Sequence, residues 1–179
     1  MPHSDRSAII DGAATVFARH GYDRASVQAV ADATGYSKAG LLHHVSSKKD
    51  LYQSVLAECQ AQMERARDRV ADLPVGPTRD RRAIEIYTEL AFALPGHVSL
   101  LLSTIAPMGD KVREEVDAIS PLLFEAFDGS GQVPERRTIR VTGALVAVGA
   151  LTLAARETDD PASWRDEIVE AGYDTLGHR

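Results

Sequence analysis

The sequence predicts an all-α fold of about nine helices, and three observations lead to that prediction. Apolar residues recur at steps of three and four, as they do at Ile9, Ala13, Val16 and Phe17. No stretch alternates apolar and polar residues for long enough to form a half-buried strand. Aromatic residues make up only 6% of the 179 residues, whereas alanine and leucine, which favour helices, are abundant.

Capping residues predict where the first four helices begin and end. The first helix ends at Gly21, and two short helices begin after the N-cap residues Ser26 and Ser37. Ser47 opens a fourth helix that runs to about residue 73, with Asp50 as the acidic half of a capping box. Five further helices are expected at about 79–94, 97–106, 109–127, 134–157 and 161–176.

Proline and glycine mark the boundaries between these later helices. They occur at 74–77, at Pro95-Gly96, at Pro107, in the loop at 128–131 and at Pro161. The most apolar stretch, 141–155, is shorter than the roughly 20 residues of a membrane span, and arginines flank it at 140 and 156. We therefore expect a buried helix here and no membrane partner.

The charge of the chain is unevenly distributed. The formal net charge of −6 argues weakly against nucleic-acid binding, which needs local positive charge. However, residues 1–50 carry six basic and five acidic residues, and the remainder carries 14 and 21. The acidity therefore belongs to the C-terminal part. The charged runs Arg79-Asp80-Arg81-Arg82 and Glu135-Arg136-Arg137 are expected to be solvated helix starts.

The cysteine content and the N-terminal residues predict a cytoplasmic protein. The single cysteine, Cys59, excludes an intrachain disulfide and fits a reducing compartment. Residues 1–11 contain no apolar run of the signal-peptide type. We expect Cys59 to be a small packed residue, since nothing in the sequence indicates the exposure and low pKa of a redox-sensing thiol.

The second and third helices have the spacing of a helix-turn-helix. A tight turn, Thr34-Gly35-Tyr36, joins them, and Gly35 can adopt a positive φ there. In such motifs the second helix enters the major groove of DNA. Its outward residues here would be Ser37, Lys38, Ala39, Gly40, His43 and His44.

Residues 6–51 resemble the DNA-binding domain of TetR-type transcriptional regulators. The matching residues are Ala14, Phe17, Gly21, Tyr22, Ser26, Val27, Val30, Ala31, Gly35, Ser37, Leu41, His43, Lys48 and Leu51. The resemblance implies a helix-turn-helix module followed by a helical core, whose last two helices usually form a dimer interface. The rest of the chain matches the family only in its expected architecture.

Three positions depart from the family's pattern. Leu42 stands where the family usually has a tyrosine that contacts the DNA backbone, and Val45 stands where an aromatic residue is common. Gly40 replaces a threonine or another polar residue. Losing the tyrosine hydroxyl removes one expected phosphate contact. Whether Leu42 and Val45 weaken DNA binding is left open by the sequence.

The resemblance and the chemistry of the side chains together assign roles in DNA binding. Ser26 and Lys48 are expected to contact phosphates, as is His44. Lys38 and His43 can donate to base acceptors in the groove. The complete expected set is Ser26, Ser37, Lys38, Ala39, Gly40, His43, His44 and Lys48.

The sequence predicts a DNA-binding domain at 1–50 and a ligand-binding and dimerisation domain at 51–179. Candidate pocket residues, any of which could simply be core, are Met63, Tyr87, Leu90, Phe92, Leu101, Met108, Phe124 and Phe127. Candidate dimer residues lie on the last two helices: Val141, Leu145, Val148, Thr152, Trp164 and Ile168.

Our leading hypothesis is a repressor that binds a palindromic operator in double-stranded DNA as a homodimer and is released by a small-molecule effector. The main alternative is a helical small-molecule-binding or scaffold protein with a degenerate DNA module, which the missing tyrosine and the overall acidity motivate. An enzyme is a weaker alternative, because the sequence has no Gly-rich phosphate loop, nucleophile elbow or HExxH motif, and His97 and Ser99 imply no third partner.

We expect no cofactor and no metal. His43 and His44 are adjacent, so on a helix their side chains point roughly 100° apart and make a poor pair of ligands for one ion.

Overall fold

The computed structural model describes residues 3–103, 120–129 and 134–178. Within these ranges the chain forms nine α-helices, one short 3-10 helix and no strand, which confirms the all-α prediction. The helices are α1 His3–Arg24, α2 Val27–Thr34, α3 Lys38–His44, α4 Lys48–Asp68, α5 Pro77–Ala93, α6 Pro95–Ser103, α7 Ser120–Asp128, α8 Glu135–Ala155 and α9 Arg165–Thr175, with the 3-10 helix at Pro161–Trp164.

Several observed boundaries differ from the predicted ones. Helix α1 continues to Arg24 beyond the non-helical Gly21, and α9 begins at Arg165 after a 3-10 helix rather than at 161. The fourth helix ends at Asp68 rather than near residue 73, because the chain continues in tighter turns such as Val70 N to Arg67 O, 3.1 Å. The sixth helix begins at Pro95, since proline is well accommodated in the first turn of a helix. Of the helix predicted at 109–127, residues 109–119 lie outside the described ranges.

The chain divides into two compact units. The first unit comprises Met1–Cys59 and Leu94–Ala118, and the second unit comprises Gln60–Ala93 and Ile119–Arg179. Helix α4 therefore begins in the first unit and ends in the second. The functional boundary after residue 50 stays a prediction.

The first unit is built around an apolar core. The large, completely buried side chains there include Phe17, Ile9, Leu41 and Leu51, each 0% exposed. They come from α1, α3 and α4, and the ring of Phe17 packs edge-on against Tyr52 at 4.9 Å between centroids. Burial of side chains of this size supplies about 1.5–3 kcal/mol each, so the apolar face of each short helix holds the unit together.

Asp11 fastens α6 to α1 inside the first unit. Its carboxylate accepts hydrogen bonds from the backbone N–H groups of Gly96 (3.0 Å) and His97 (3.1 Å), and it lies 2.7 Å from His97 Nδ1. It thereby satisfies two donors in the first turn of α6 that have no partner within the helix. A Cβ atom at Gly96 would lie 1.9 Å from the Asp11 carbonyl oxygen, so only glycine allows the two helices to approach this closely.

The second unit is built on α5, which packs against α8 and α9. Its completely buried side chains include Ile84, Ile86 and Val141, at 0% exposure. The α8–α9 pair is also in close contact, and Gly172 on α9 lies against Val148 and Ile84. The apolar face of each of these three helices therefore faces the other two.

The charged run at the start of α5 is not a solvated helix start, contrary to the expectation from sequence. Arg79 is 6% exposed and Asp80 is 0% exposed. Arg79 donates to the last carbonyls of α7, from Nε to Ala126 O at 2.8 Å and from Nη2 to Glu125 O at 3.0 Å. Buried charges persist only when they are paired, and each hydrogen bond here supplies such a partner.

Asp80 pairs with two basic side chains from distant parts of the second unit. Arg137 Nη2 donates to both carboxylate oxygens, at 2.6 and 2.7 Å, and His178 Nε2 contacts Oδ2. Arg137 therefore also departs from the expected solvated position, with a side chain only 19% exposed. The side chains of Arg81 and Arg82 are 42% and 40% exposed, as expected.

Helix α8 has two apolar faces. One packs in the second unit through Val141, Ala144 and Val148. The other faces solvent, and Ile139 on it is 66% exposed. By length and mean hydropathy (1.7 over its most apolar window) α8 could cross a membrane, but a core helix of a soluble protein passes the same test.

Candidate nucleic-acid interface

The turn between α2 and α3 has the backbone geometry that its sequence requires. Gly35 adopts φ 73° and ψ 14°, the left-handed conformation that closes a helix, and its N–H donates to Ala31 O. Tyr36 N also donates to Ala31 O, at 3.0 Å. Because a residue with a Cβ is disfavoured at this φ, Gly35 fixes the sharp change of direction between the two helices.

Two serines begin the helices of the motif. Ser26 Oγ accepts a hydrogen bond from Ala29 N at 3.1 Å, and Ser37 Oγ accepts one from Gly40 N at 3.0 Å. Both caps were expected from sequence. Since each hydroxyl oxygen is an acceptor in these bonds, its own hydrogen remains available to donate.

Helix α3 has one face in the core and one face in solvent. Leu41 and Val45 are buried at 0% and 4% exposure and hold the helix against α1 and α2. On the other side Ser37, Lys38, Ala39, His43 and His44 are exposed and Gly40 is half-buried. The structure therefore places all the residues predicted on α3 where an incoming macromolecule could reach them.

Lys48 is engaged within the protein rather than extended into solvent. Its Nζ donates to Tyr22 O at 3.0 Å and to Asp23 O at 3.2 Å, and it lies 4.6 Å from the centroid of the Tyr22 ring. These carbonyls follow Gly21, where the helical φ/ψ of α1 is interrupted (φ 69°, ψ 167°). Lys48 thus connects the end of α1 to the start of α4, a role that the sequence did not indicate.

The start of α4 is a capping box with one altered partner. Ser47 Oγ accepts from Asp50 N at 3.0 Å, as predicted, but the Asp50 carboxylate accepts from the N–H and the hydroxyl of Ser46, at 2.9 and 3.1 Å. The hydrogen bond from the Ser46 N–H lowers the pKa of Asp50, with the Ser46 hydroxyl as the second cause. The carboxylate therefore stays ionised at the first turn of α4, where negative charge is favourable.

The end of α3 is held by a residue that sequence reasoning left unassigned. Arg6 Nη1 donates to His44 O at 3.4 Å, and the His44 ring packs edge-on against Tyr36 at 5.8 Å between centroids. A basic side chain at the C-terminal carbonyls of a helix is electrostatically favourable. No local pattern could have shown this contact, because the two residues are far apart in the chain.

The predicted pocket residues are distributed over both units. Leu101 packs against the apolar core of the first unit, whereas the other described residues of the set belong to the second unit. Tyr87 and Phe127 are buried core residues whose rings stack at 5.9 Å, and Met63 is also buried. Met108 lies outside the described ranges. Leu90, Phe92 and Phe124 are half-buried.

Tyr87 is locked in place by its phenolic group. Its hydroxyl donates to Leu123 O at 3.0 Å, and burial raises the pKa of this phenol.

Two grooves on the second unit, of about 380 and 630 Å³, lie elsewhere and are lined mainly by charged side chains such as Arg81 and Glu85. Neither of these two grooves is lined by a predicted pocket residue.

Four of the six predicted dimer residues are buried inside the protomer. Val141 and Thr152 are 0% exposed, Ile168 is 1% exposed and Val148 is 2% exposed. They fill the protomer's own core, because α8 directs this face towards α5 and α9. Leu145 is half-buried, and Trp164 is 39% exposed.

The exposed apolar face of α8 lies on the other side of the helix. It includes Ile139, Val146, Ala150 and Leu153, which follow one another at steps of seven, four and three. All four are exposed or half-buried. We call these four residues the α8 stripe.

The residues singled out for other chemistry have structural partners. Ser99 Oγ donates to Pro95 O at 2.9 Å, so it does not pair with His97. Burial raises the pKa of the Cys59 thiol to about 12, which opposes the thiolate form that redox sensing needs. In the described part of the chain no group of three or more His, Cys, Asp and Glu side chains could hold a metal ion.

Comparison with known proteins identifies the N-terminal module. Residues 9–55 match the family described as bacterial regulatory proteins, tetR family. The chain is 37% identical over 62 residues to the HTH-type transcriptional repressor AcnR of Corynebacterium glutamicum. This segment covers 35% of the chain and only 33% of that repressor, so the matched part spans about a third of its curated relative.

Solved structures share the fold over nearly the whole chain. The fatty acid degradation regulator FadR from Bacillus halodurans aligns with a TM-score of 0.61 and 16% identity, over 100% of this chain and 98% of its own. AibR, in complex with isovaleryl coenzyme A and operator DNA, aligns with a TM-score of 0.50 and 23% identity, over 96% and 97%. At these identities the similarity is one of fold.

The helix-turn-helix geometry, the family match and the shared fold point to the same assignment. Residues 9–55 of this chain therefore form an N-terminal module that matches the tetR family of bacterial regulatory proteins.

Proposed function

We propose that this protein is a transcription repressor that binds a palindromic operator as a homodimer and releases it when a small-molecule effector binds. The observation that carries the proposal is the two-sided α3, whose buried Leu41 and Val45 hold Lys38 and His43 outward. A helix held in this way can lie in the major groove while the unit behind it stays folded. The curated relative AcnR is named as an HTH-type transcriptional repressor.

The proposed contacts divide into those that position the module and those that read sequence. The proposed donors to phosphates are Ser26, Ser37, His44 and Lys48. The Lys48 ammonium group has three N–H donors, of which two bond the carbonyls of Tyr22 and Asp23, so the third donates to the phosphate. Lys38 and His43 donate to base acceptors from the outer face of α3. Ala39 and Gly40 have little or no side chain, which allows α3 to approach the base edges closely.

We assign the α8 stripe to contact with a second copy of this chain. An exposed apolar row on a helix that already packs on its other face indicates an interface. Trp164, 39% exposed at the N-terminal end of α9, adds to the apolar surface of the same two helices. Two copies would present two recognition helices to half-sites roughly 34–36 Å apart, which is one turn of DNA.

Sedimentation velocity tests the dimer. Ile139→Glu places a charge in the α8 stripe at an exposed position and is expected to convert dimers to monomers. Val75→Glu is the matched control, because Val75 is also exposed (59%) but lies in the turn before α5. Unchanged dimerisation in Ile139→Glu, or equal dissociation in both variants, would refute this assignment.

The effector is proposed to act through helices that connect the two parts of the chain. Helix α4 begins in the first unit and ends in the second, and Asp11 fastens α6 to α1. An effector that prefers a state with altered α4 or α6 would change the spacing of two recognition helices. The apolar candidates in the second unit are Met63, Tyr87, Leu90, Phe92, Phe124 and Phe127, with Leu101 in the first unit and Met108 beyond the described ranges.

Binding to genomic fragments that flank the protein's own gene tests the proposal as a whole. We expect salt-sensitive binding that survives an excess of random DNA and weakens when isovaleryl coenzyme A or longer acyl coenzyme A thioesters are added, since AibR was solved with such a ligand. Binding that random competitor abolishes on every fragment would favour the alternative, a helical ligand-binding or scaffold protein with a degenerate DNA module.

We further propose a cytoplasmic location and no catalytic activity. The relative AcnR is named as a transcriptional repressor, and operator DNA lies in the cytoplasm of bacteria. The proposed homodimer uses α8 for protein packing, so we do not assign α8 to a membrane.

A further inference from the structure

Helix α3 exposes an apolar side chain on the surface that is proposed to face DNA. Leu42 is 43% exposed, whereas the neighbouring Leu41 is completely buried. Among the described residues of the first unit, Leu42 is the one large apolar side chain with this degree of exposure. Folding of the unit does not require it, because Leu41 and Val45 make the contacts of α3 with the core.

Leu42 has an apolar neighbour on the same helix. Ala39 precedes it by three residues, so the two side chains are adjacent on the helix surface, and Ala39 is also exposed. We call these two side chains the Ala39–Leu42 patch. Gly40 adds no side chain to α3, so the helix backbone can come close to a surface that the patch contacts.

Two hydrogen-bond donors flank the patch. Lys38 precedes Leu42 by four residues, and His43 follows Ala39 by four residues, so each donor is a neighbour of one member of the patch. Both donors are exposed. The outer face of α3 is therefore polar at its edges and apolar between them.

The chemistry of the major groove restricts what such a patch can recognise. An alkyl side chain has no donor for a phosphate oxygen and gains nothing from the polar base edges. The apolar group that a base pair presents in the major groove is the C5 methyl of thymine. Alanine and larger apolar side chains are known to contact that methyl group.

We propose that the Ala39–Leu42 patch contacts a thymine methyl in each operator half-site and that Leu42 is a specificity-determining residue. This inference rests on the proposed function, in which α3 enters the major groove. Leu42 replaces the tyrosine of the resembled family, so a sequence-neutral phosphate contact is exchanged for one that reads a base.

The test compares thymine with uracil, which differ only by the C5 methyl group. The full-length protein is first used to select its preferred duplex from a randomised library, and each thymine is then replaced by uracil in turn. We expect one thymine per half-site at which uracil weakens binding about fourfold, the factor that burial of one methyl-sized group gives. In Leu42→Ala the same replacement is expected to change binding by less than about 1.5-fold, since the larger part of the patch is absent.

Two further variants serve as controls. Leu42→Met keeps a large apolar side chain and is expected to retain the sensitivity to uracil. Lys49→Ala removes an exposed cation next to Lys48 on α4, so it is expected to weaken binding while leaving the uracil effect unchanged. Circular dichroism checks folding, which truncation of the exposed Leu42 should not alter.

The outcomes separate this inference from the function on which it rests. If no sequence is enriched from the library, the proposed function fails and this inference fails with it. If a sequence is enriched but uracil is tolerated at every thymine, or if Leu42→Ala keeps the full uracil effect, only the role of Leu42 is refuted.

Discussion

The two units of this chain are held together by different kinds of core. In the first unit the largest buried side chains are apolar, and Phe17, Tyr22 and Tyr52 form an aromatic cluster with centroid distances of 4.9 to 6.1 Å. In the second unit the apolar helix faces are accompanied by buried charges, Arg79 and Asp80, which are 6% and 0% exposed. The core of the first unit thus depends on apolar packing, with the Asp11 carboxylate joining α1 to α6, whereas the second unit buries an arginine and an aspartate as well.

This difference bears on what the sequence reveals. Apolar side chains at helical spacing can be recognised locally, and residues 9–55 are also the part that matches a family model. A buried ion pair depends on partners far away in the chain, as Asp80 and Arg137 are, 57 residues apart. Substitutions confined to one unit therefore test each unit separately, from the largest expected effect on stability to the smallest.

Removing the charge of Asp80 should destabilise the second unit most. Asp80→Asn leaves the half-buried Arg137 with only its longer contact to a carboxylate, Asp128 Oδ2 at 3.5 Å, so the free energy of unfolding is expected to fall by about 3–5 kcal/mol. Urea denaturation measures the loss. Asp80→Asn with Arg137→Met removes both charges and is expected to recover part of it. A loss below about 1 kcal/mol in Asp80→Asn would show that the buried pair contributes little.

Adding one methyl group at Gly96 should damage the first unit by steric conflict alone. In Gly96→Ala the new Cβ would lie 1.9 Å from Asp11 O, a backbone atom that cannot turn away. We expect a loss of about 2–3 kcal/mol in urea denaturation. Gly40→Ala is the matched control within the unit, because its nearest atom is the Ser37 hydroxyl at 3.1 Å. Equal stability of the two variants would contradict the close packing of α1 and α6.

Alkaline pH should weaken the folded state through Cys59. Burial raises the pKa of this thiol from 9.0 to about 12, so above pH 9.0 the unfolded chain loses a proton that the folded chain keeps. Between these values the free energy of unfolding should fall by about 1.4 kcal/mol per pH unit more in the wild type than in Cys59→Ala. The difference between two urea titrations isolates this slope, and parallel curves from pH 8 to pH 10.5 would contradict it.

Loss of the Lys48 contacts should have the smallest effect on stability. Lys48→Met keeps an unbranched side chain but removes the hydrogen bonds to Tyr22 O and Asp23 O, and about 1 kcal/mol is expected to be lost. Lys48 is also proposed to contact a phosphate. In that case the slope of log affinity for DNA against log salt concentration becomes shallower by about one in the same variant. An unchanged salt slope together with reduced stability would leave Lys48 as a structural contact only.

Elements with a local signal were predicted well. The caps at Ser26 and Ser37, the turn at Gly35 and the buried Leu41 all follow from residues within one or two helical turns, and the structure has each of them. The outward direction of Lys38 and His43 follows from the same periodicity. The exposed face of α3 could therefore be predicted from the sequence, apart from Leu42.

Contacts between distant residues could not be predicted. Asp11 and Gly96 are 85 residues apart, and nothing near Asp11 indicates that its carboxylate caps another helix. Periodicity likewise shows that α8 is apolar but not which of its two apolar faces packs within the protomer. That is why Val141, Val148, Thr152 and Ile168 were expected at a dimer surface and lie in the core.

The central claim is that the outer face of α3 reads DNA sequence. Its most direct test is the ratio of affinities for the selected duplex and for random DNA of equal length, measured for the wild type, Lys38→Ala, His43→Ala and Lys49→Ala. We predict a lower ratio for Lys38→Ala and His43→Ala, because each variant loses a donor to a base. For Lys49→Ala we predict an unchanged ratio, because the affinity for both DNAs falls equally. An equal loss on both DNAs in all three variants would contradict base reading by α3.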